Sequence, residues 1–243
     1  MNKNYNIYFL SDFHLGAPNQ KTSQKREKKI IDFLNLIKND AKEIYLLGDV
    51  FDFWFEYKTV IPKGFSRLFG KLAELADSRI KIFFFPGNHD MWIKEYLTNE
   101  IGLIVCENNI IKKINNKIFF LSHGDGLNKK EKTYILLKKI FKNKFCQKLF
   151  YCIHPDIGIN IAKFFSQKSR KKTSKKISCD NDLIIYCKKQ LKKTKIDYFI
   201  FGHKHNPKKI TIKNQSTYIN LGDWINHYTY AVFNGEKTKL KKF

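Results

Sequence analysis

Five of the seven histidines, His14, His89, His123, His203 and His205, stand just after short apolar runs, each with Asp, Asn or Gly nearby. They fall within a series of motifs: Asp12-Phe13-His14, Gly48-Asp49-Val50-Phe51-Asp52, Gly87-Asn88-His89-Asp90, His123-Gly124-Asp125 and Gly202-His203-Lys204-His205. Taken singly, each is an ordinary turn sequence, because Asp, Asn and Gly tolerate left-handed backbone and bond their own main chain. Taken together they supply carboxylate, imidazole and amide oxygen in the number and kind that suit a pair of divalent metals. His154 and His227 have no such company and read as structural.

The elements that would position these groups are legible as short apolar runs. Strands are predicted at Asn6 to Leu10, Glu43 to Leu47 and Lys81 to Phe85, and a hairpin at Ile110 to Ile114 and Ile118 to Leu121 around Asn115-Asn116. Further strands are expected at Asp197 to Phe201, Lys209 to Ile212, Thr217 to Leu221 and Tyr228 to Phe233. Helical stretches alternate with strands through the first hundred residues, the rhythm of an α/β layered fold. The motifs close the strands, and in open α/β sheets ligands gather at the carboxyl ends of strands. From about Asn128 to Lys195 the pattern is helical instead. Ile135, Leu136, Ile140, Phe141, Phe145 and Leu149 recur near helical spacing, followed by Ile157, Ile161 and Phe165.

Composition sets the class. The 243 residues are 43% hydrophobic and 15% aromatic, enough for a sizeable core and too aromatic for a disordered tail. Lys plus Arg number 46 against 22 for Asp plus Glu, a net charge of +24. The excess concentrates in residues 126 to 195, which hold 20 basic and 4 acidic residues, so this stretch faces something anionic or is a heavily solvated surface. A skew toward Lys also arises from genomic nucleotide bias, so the charge by itself assigns nothing. No apolar run approaches the ~18 residues that span a bilayer, and the first apolar run is too short for a secretory signal. Five cysteines without a C-x-x-C pair argue against a disulfide framework and a structural zinc site, and a cytoplasmic setting is expected.

The motif series resembles the calcineurin-like metallophosphoesterases over nearly the whole chain. The resemblance implies a layered sandwich of mixed β-sheets flanked by helices, with residues 1–125 and 196–243 as the core and 126–195 as an inserted basic helical cap. It implies two metal ions, one held by Asp12, His14 and His205, the other by Asn88, His123 and His203, with Asp49 bridging them. His89 and Asp49 would be catalytic, His89 by contact with the phosphate or the leaving oxygen, and Asp52 and Asp90 would orient histidines.

A narrower resemblance rests on Gly48 to Trp54, on Ser122 to Asp125 and on the basic helical insertion before Gly202-His203. These are similar to the UDP-2,3-diacylglucosamine pyrophosphatase family of lipid A synthesis. The resemblance implies manganese-dependent cleavage of a UDP-linked diacylated glucosamine to 2,3-diacylglucosamine 1-phosphate and UMP. It places the protein at the cytoplasmic face of the inner membrane, peripheral on an anionic surface. The substrate contacts it implies are Trp54, Asn88, His89, Glu131, Tyr134, Ser169, Thr173, Lys176 and His203. Two positions depart from the family pattern: Thr173 replaces Asn, and His89 stands where the best-known members carry arginine, so that imidazole takes over a phosphate contact.

Two other readings compete. Nucleases and nucleotide phosphodiesterases share such metal motifs, and a net charge of +24 also suits nucleic acid. Phe141, Phe145, Phe164 and Phe165 weigh against that partner, because helical spacing is expected to turn them into a core or an acyl pocket rather than an exposed stacking platform. A non-catalytic interaction module would be free to lose ligands, and none of the seven is missing.

Overall fold

The computed structural model describes residues 5–127, 132–175 and 180–243. Its first sheet is six-stranded, in the order β11 (Thr238–Lys242), β10 (Thr229–Phe233), β1 (Asn6–Leu10), β2 (Ala41–Leu47), β3 (Lys81–Phe85) and β4 (Ile104–Val105). Strands β1 to β4 run parallel, and β10 joins β1 antiparallel. The second sheet has the order β5 (Ile110–Ile114), β6 (Lys117–Ser122), β7 (Tyr198–Phe201), β9 (Thr217–Asn220) and β8 (Lys208–Thr211), with β6, β7 and β9 parallel.

The central strands are apolar at consecutive positions because both of their faces are covered. Ile7, Phe9, Tyr45, Leu47, Phe85, Phe119, Leu121 and Ile200 form the layer between the two sheets. The alternate residues Tyr8, Leu10, Ile44, Leu46, Ile82 and Phe84 face outward onto α1 (Gln20–Ile37) and α2 (Ser66–Asp77). Helix α1 starts at Asn19, whose side chain accepts from Thr22 N, and buries Ile30, Phe33, Leu34 and Ile37 at helical spacing. A four-residue helix, α3 (Tyr96–Asn99), precedes β4. The expected α/β sandwich is therefore present. Two elements have no counterpart in the sequence reading: β4, only two residues long, and β11, a lysine-rich edge strand whose weak apolar signal is what an edge tolerates.

Between β6 and β7 the chain forms α4 (Lys132–Lys142), α5 (Lys144–Tyr151), α6 (Pro155–Lys175) and α7 (Asn181–Gln190). Helix α7 buries Leu183 and Cys187 against Phe120, Phe199, Phe201 and Tyr218, and so completes the outer layer of the second sheet. Helices α4 and α5 sit on an aromatic cluster: Phe150 packs on Phe55 at 4.6 Å and Trp92 at 4.9 Å, and Trp92 lies 5.4 Å from Phe141. The expectation that Phe141, Phe145, Phe164 and Phe165 line a core or pocket fails. Phe145, Phe164 and Phe165 are more than 60% exposed and Phe141 is 39% exposed, because the helices meet the core mainly through Phe150 and Tyr151 and carry these rings on other faces.

Phe9 tests the central layer. It is fully buried and stacked on Tyr45 at 5.1 Å and Phe119 at 5.8 Å. Phe9→Ala is expected to lower the unfolding free energy by about 3–5 kcal/mol in a guanidinium titration, whereas the exposed Leu36→Ala stays within about 0.5 kcal/mol.

Candidate metal centre

The loops after β1, β2 and β3 meet those after β6 and β7 at one edge of the sandwich, and their polar side chains converge. Three sets of donor atoms each lie within 4.8 Å of one another: Asp12, His14 and His205; His14, Asp49 and His89; Asp49, His123 and His203. Shared members make the three sets one continuous array. His14 Nε2 lies 3.1 Å from His205 Nε2, 3.8 Å from Asp12 Oδ1 and 3.6 Å from Asp49 Oδ2. On the other side of Asp49, its Oδ2 is 3.3 Å from His123 Nε2, and Asn88 Oδ1 is 3.3 Å from His123 Nε2 and 3.0 Å from His203 Nδ1. Imidazole nitrogens brought this close around buried carboxylates need a cation or a shared proton between them. The mixed N and O donors are those that borderline divalent ions accept, so the residues fit the two-metal reading.

Local backbone conformation aims these groups. Asp12, His14, Asp49, His203 and His205 all have φ between 44° and 68°. Such left-handed conformations cost non-glycine residues energy and persist only where their surroundings enforce them. The enforcing bonds are visible. Asp90, fully buried, accepts from Gly87 N at 2.6 Å, Val50 N at 2.8 Å, Asp49 N at 3.2 Å and Phe51 N at 3.3 Å. Asp90 thus clamps two loops by their main chains and orients no histidine, contrary to expectation, whereas Asp52 lies 3.5 Å from His14 Nδ1 and 3.8 Å from His89 Nδ1. His123 Nδ1 donates to Leu47 O at 2.8 Å, which turns Nε2 toward Asp49. A Cβ at Gly87 would collide with the Asp49 carboxylate, and one at Gly202 would lie 2.5 Å from Asp12 Oδ2, so the main chain of both loops runs hard against the ligands.

The family model of the calcineurin-like phosphoesterases matches residues 5–207. The chain is a calcineurin-like phosphoesterase. It is 35% identical, over 97% of its length and 96% of the relative's, to the UDP-2,3-diacylglucosamine hydrolase of Porphyromonas gingivalis. The protein of the same name from Wigglesworthia glossinidia brevipalpis is 29% identical over 97% of this chain and 93% of its own. The one from Haemophilus influenzae is 26% identical over 91% of each. Among solved structures, Vps29 from Entamoeba histolytica complexed with zinc aligns over 97% of each chain at 13% identity with a TM-score of 0.45.

Charge in this phosphoesterase is concentrated out of water. Burial works against ionisation of Asp12 and Asp49, yet His205 beside the first and His123 and His89 beside the second hold both well below the usual carboxylate range. Burial likewise opposes the charge of His205 and His123. Asp12 and Asp223 nevertheless push His205 up to about 10, and Asp49 holds His123 well above the ordinary imidazole value. Burial brings His89 down to about 4 and His203 down to about 3, with neighbouring imidazoles adding to the effect. Asp90, buried next to Asp49, is raised to about 7.

Of the remaining site expectations, Trp54 is corrected. It is fully buried among Phe51, Phe65, Phe69 and Tyr96 and donates from Nε1 to Glu56 Oε1 at 3.0 Å, so it packs the core and has no face for a substrate. Tyr134 falls on α4, and Ser169 and Thr173 on α6; Glu131 and Lys176 lie outside the described residues. Sequence reasoning missed Asp223, whose Oδ2 lies 3.4 Å from His205 Nδ1 and 3.0 Å from His227 Nδ1 while Oδ1 accepts from the main chain of residues 225–227. It also missed Arg26, buried, which donates to Phe13 O at 3.0 Å and His14 O at 2.8 Å from the middle of α1. No motif marks either one. An Arg amid Lys on a helix gives no sign that it points inward.

The raised values of His205 and His123 carry a pH prediction. His205, pushed up to about 10, favours its protonated form in the metal-free protein, His123 is shifted in the same direction, and ligation needs neutral imidazole. Loading with manganese should therefore release protons, and apparent affinity should rise with pH toward about 10. Titration calorimetry in buffers of different ionisation enthalpy reads this directly; binding at pH 8 without proton release would contradict it.

Proposed function

We propose that this phosphoesterase hydrolyses the pyrophosphate bond of UDP-2,3-diacylglucosamine to 2,3-diacylglucosamine 1-phosphate and UMP. The relatives named for that hydrolysis cover nearly the whole chain. The observation that carries the chemistry is Asp49, a carboxylate 1% exposed with donor sets on both sides of it. In this reading Asp12, His14 and His205 hold one divalent ion, Asn88, His123 and His203 the other, and Asp49 both, with manganese the first choice. Bound there, such ions polarise phosphoryl oxygens and make water a nucleophile near neutral pH.

The chain's own residues do the rest. Asp52 and Asp223 orient His14 and His205 through their second ring nitrogens. Asn88 adds an oxygen ligand without adding charge. His89, whose main-chain N–H donates to Asp49 Oδ1 at 2.9 Å, presents its ring beside His14 and contacts the phosphate or the leaving oxygen. Residues 1–125 and 196–243 form the catalytic core and 126–195 the helical cap, of which α7 packs on the second sheet. Tyr134, Ser169 and Thr173, with Glu131 and Lys176, contact the lipid sugar. No described helix is long and apolar enough to cross a membrane. The exposed Phe145, Phe164 and Phe165, set among lysines, support peripheral attachment to the anionic inner face of the membrane.

Metal-loaded protein given UDP-2,3-diacylglucosamine, bis-p-nitrophenyl phosphate and single-stranded DNA should show its highest kcat/KM on the first; preference for DNA would favour a nuclease. In water enriched in heavy oxygen the label should enter UMP. Asp49→Ala is expected to lose both metals and activity. His89→Ala should keep both metals and lose turnover by about 10²-fold or more, read by metal analysis beside kinetics. The cap has its own test. Binding to vesicles rich in anionic lipid should weaken as salt rises, each lysine near the surface contributing about 1 kcal/mol at low ionic strength. Equal binding to neutral vesicles at every salt concentration would remove the electrostatic part.

A further inference from the structure

Among the described residues of helix α6, Ser166 reaches the metal centre with a polar atom. Ser166 Oγ lies 3.0 Å from His89 Nδ1, and Ser166 is 8% exposed while its neighbours Phe164 and Phe165 are 63% and 62% exposed. A hydroxyl turned inward beside two phenylalanines turned outward reverses the ordinary partition of side chains. It is kept where the buried oxygen has a specific bond to make. Nearer its start α6 also comes close to the core: a Cβ at Gly158 would lie 2.6 Å from the Tyr57 hydroxyl oxygen and 3.1 Å from the Phe150 ring. The N-terminal turn of α6 is thus seated by shape, and its middle is bonded to His89.

The His89 ring is held by the same atom. Its Nδ1 is 3.0 Å from the main-chain oxygen of Asp52, and a carbonyl only accepts, so Nδ1 carries the hydrogen and Ser166 Oγ takes a share of it. Two acceptors on one N–H, one from the core and one from α6, set the plane of the ring. That plane stands at 83° to His14, with ring centroids 4.8 Å apart. Small rotations of a group that contacts a reacting phosphate are costly to turnover.

We propose that Ser166 is a positioning residue, which makes the orientation of His89, and with it turnover, depend on the seating of α6 over the metal centre. This rests on the reading of His89 given above. Ser169 and Thr173 lie three and seven residues further along the same helix, so substrate that draws α6 down would also set His89. Occupancy of the cap and competence of the catalytic loop are then one event.

The test is a double-mutant cycle on full-length, manganese-loaded protein with UDP-2,3-diacylglucosamine. Ser166→Ala is expected to lower kcat about tenfold with KM within about twofold, and Ser166→Thr, which keeps the hydroxyl, to recover most of the loss. In the His89→Ala background, Ser166→Ala should change kcat by less than about twofold, because its effect passes through the missing ring. The ring-nitrogen resonances of His89 in magnesium-loaded protein should move in Ser166→Ala and return in Ser166→Thr, a readout that is independent of kinetics. Full kcat in Ser166→Ala, or an equal loss in both backgrounds, overturns the proposal and leaves the reading of His89 intact. Unchanged turnover in His89→Ala overturns both.

Discussion

A carboxylate removed from water is the constraint around which this protein is arranged. Asp49 is 1% exposed and remains ionised only because imidazoles and main-chain N–H groups surround it. An isolated charge at that depth would neutralise by taking up a proton, and a buried pair stabilises a fold only when its remaining bonds are met. The partners must therefore be supplied from several directions at once. His14 comes from the loop after β1, His89 from the loop after β3 and His123 from the end of β6, so that both sheets contribute to one cluster.

That requirement explains why so much of the surrounding backbone is unusual. Asp12, His14, Asp49, His203 and His205 sit in left-handed conformations, and Asp90 spends its carboxylate on four main-chain N–H groups of two neighbouring loops. A sandwich of two sheets suits this work. Its central strands are anchored on both faces by aromatic layers, so loop ends at one edge can be held in strained shapes without moving the frame.

Helices α4 to α6 follow another logic. Their described contacts with the core include Phe150 on Phe53, Phe55 and Trp92, Tyr151 on Phe55 and Tyr57, Lys138 on Asp125, Gly158 against Tyr57 and Ser166 on His89. Leu136, Phe145, Leu149, Ile157, Phe164 and Phe165 face solvent. A helical segment that presents so many apolar side chains outward suits a cover for a substrate with long acyl chains and a charged head.

Much of this was determined by the sequence alone. Runs such as Ile7-Tyr8-Phe9-Leu10 and Lys81 to Phe85 have one stable solution, a strand covered on both faces, and β1 and β3 have the expected bounds. The polar motifs were legible because strand ends place Asp, Asn and His together, and the structure gathers them into one cluster. What the sequence could not carry is direction. Trp54 closes a functional motif yet points into the core, Arg26 lies on a lysine-rich helix yet points inward to the loop of His14, and Phe145, Phe164 and Phe165 have core spacing yet lie in solvent. Asp223 and Ser166 acquire meaning only from histidines 18 and 77 residues away in the chain. Periodicity states which residues share a face, but which face meets a neighbour is decided by packing between distant elements, and that exists only in the tertiary structure.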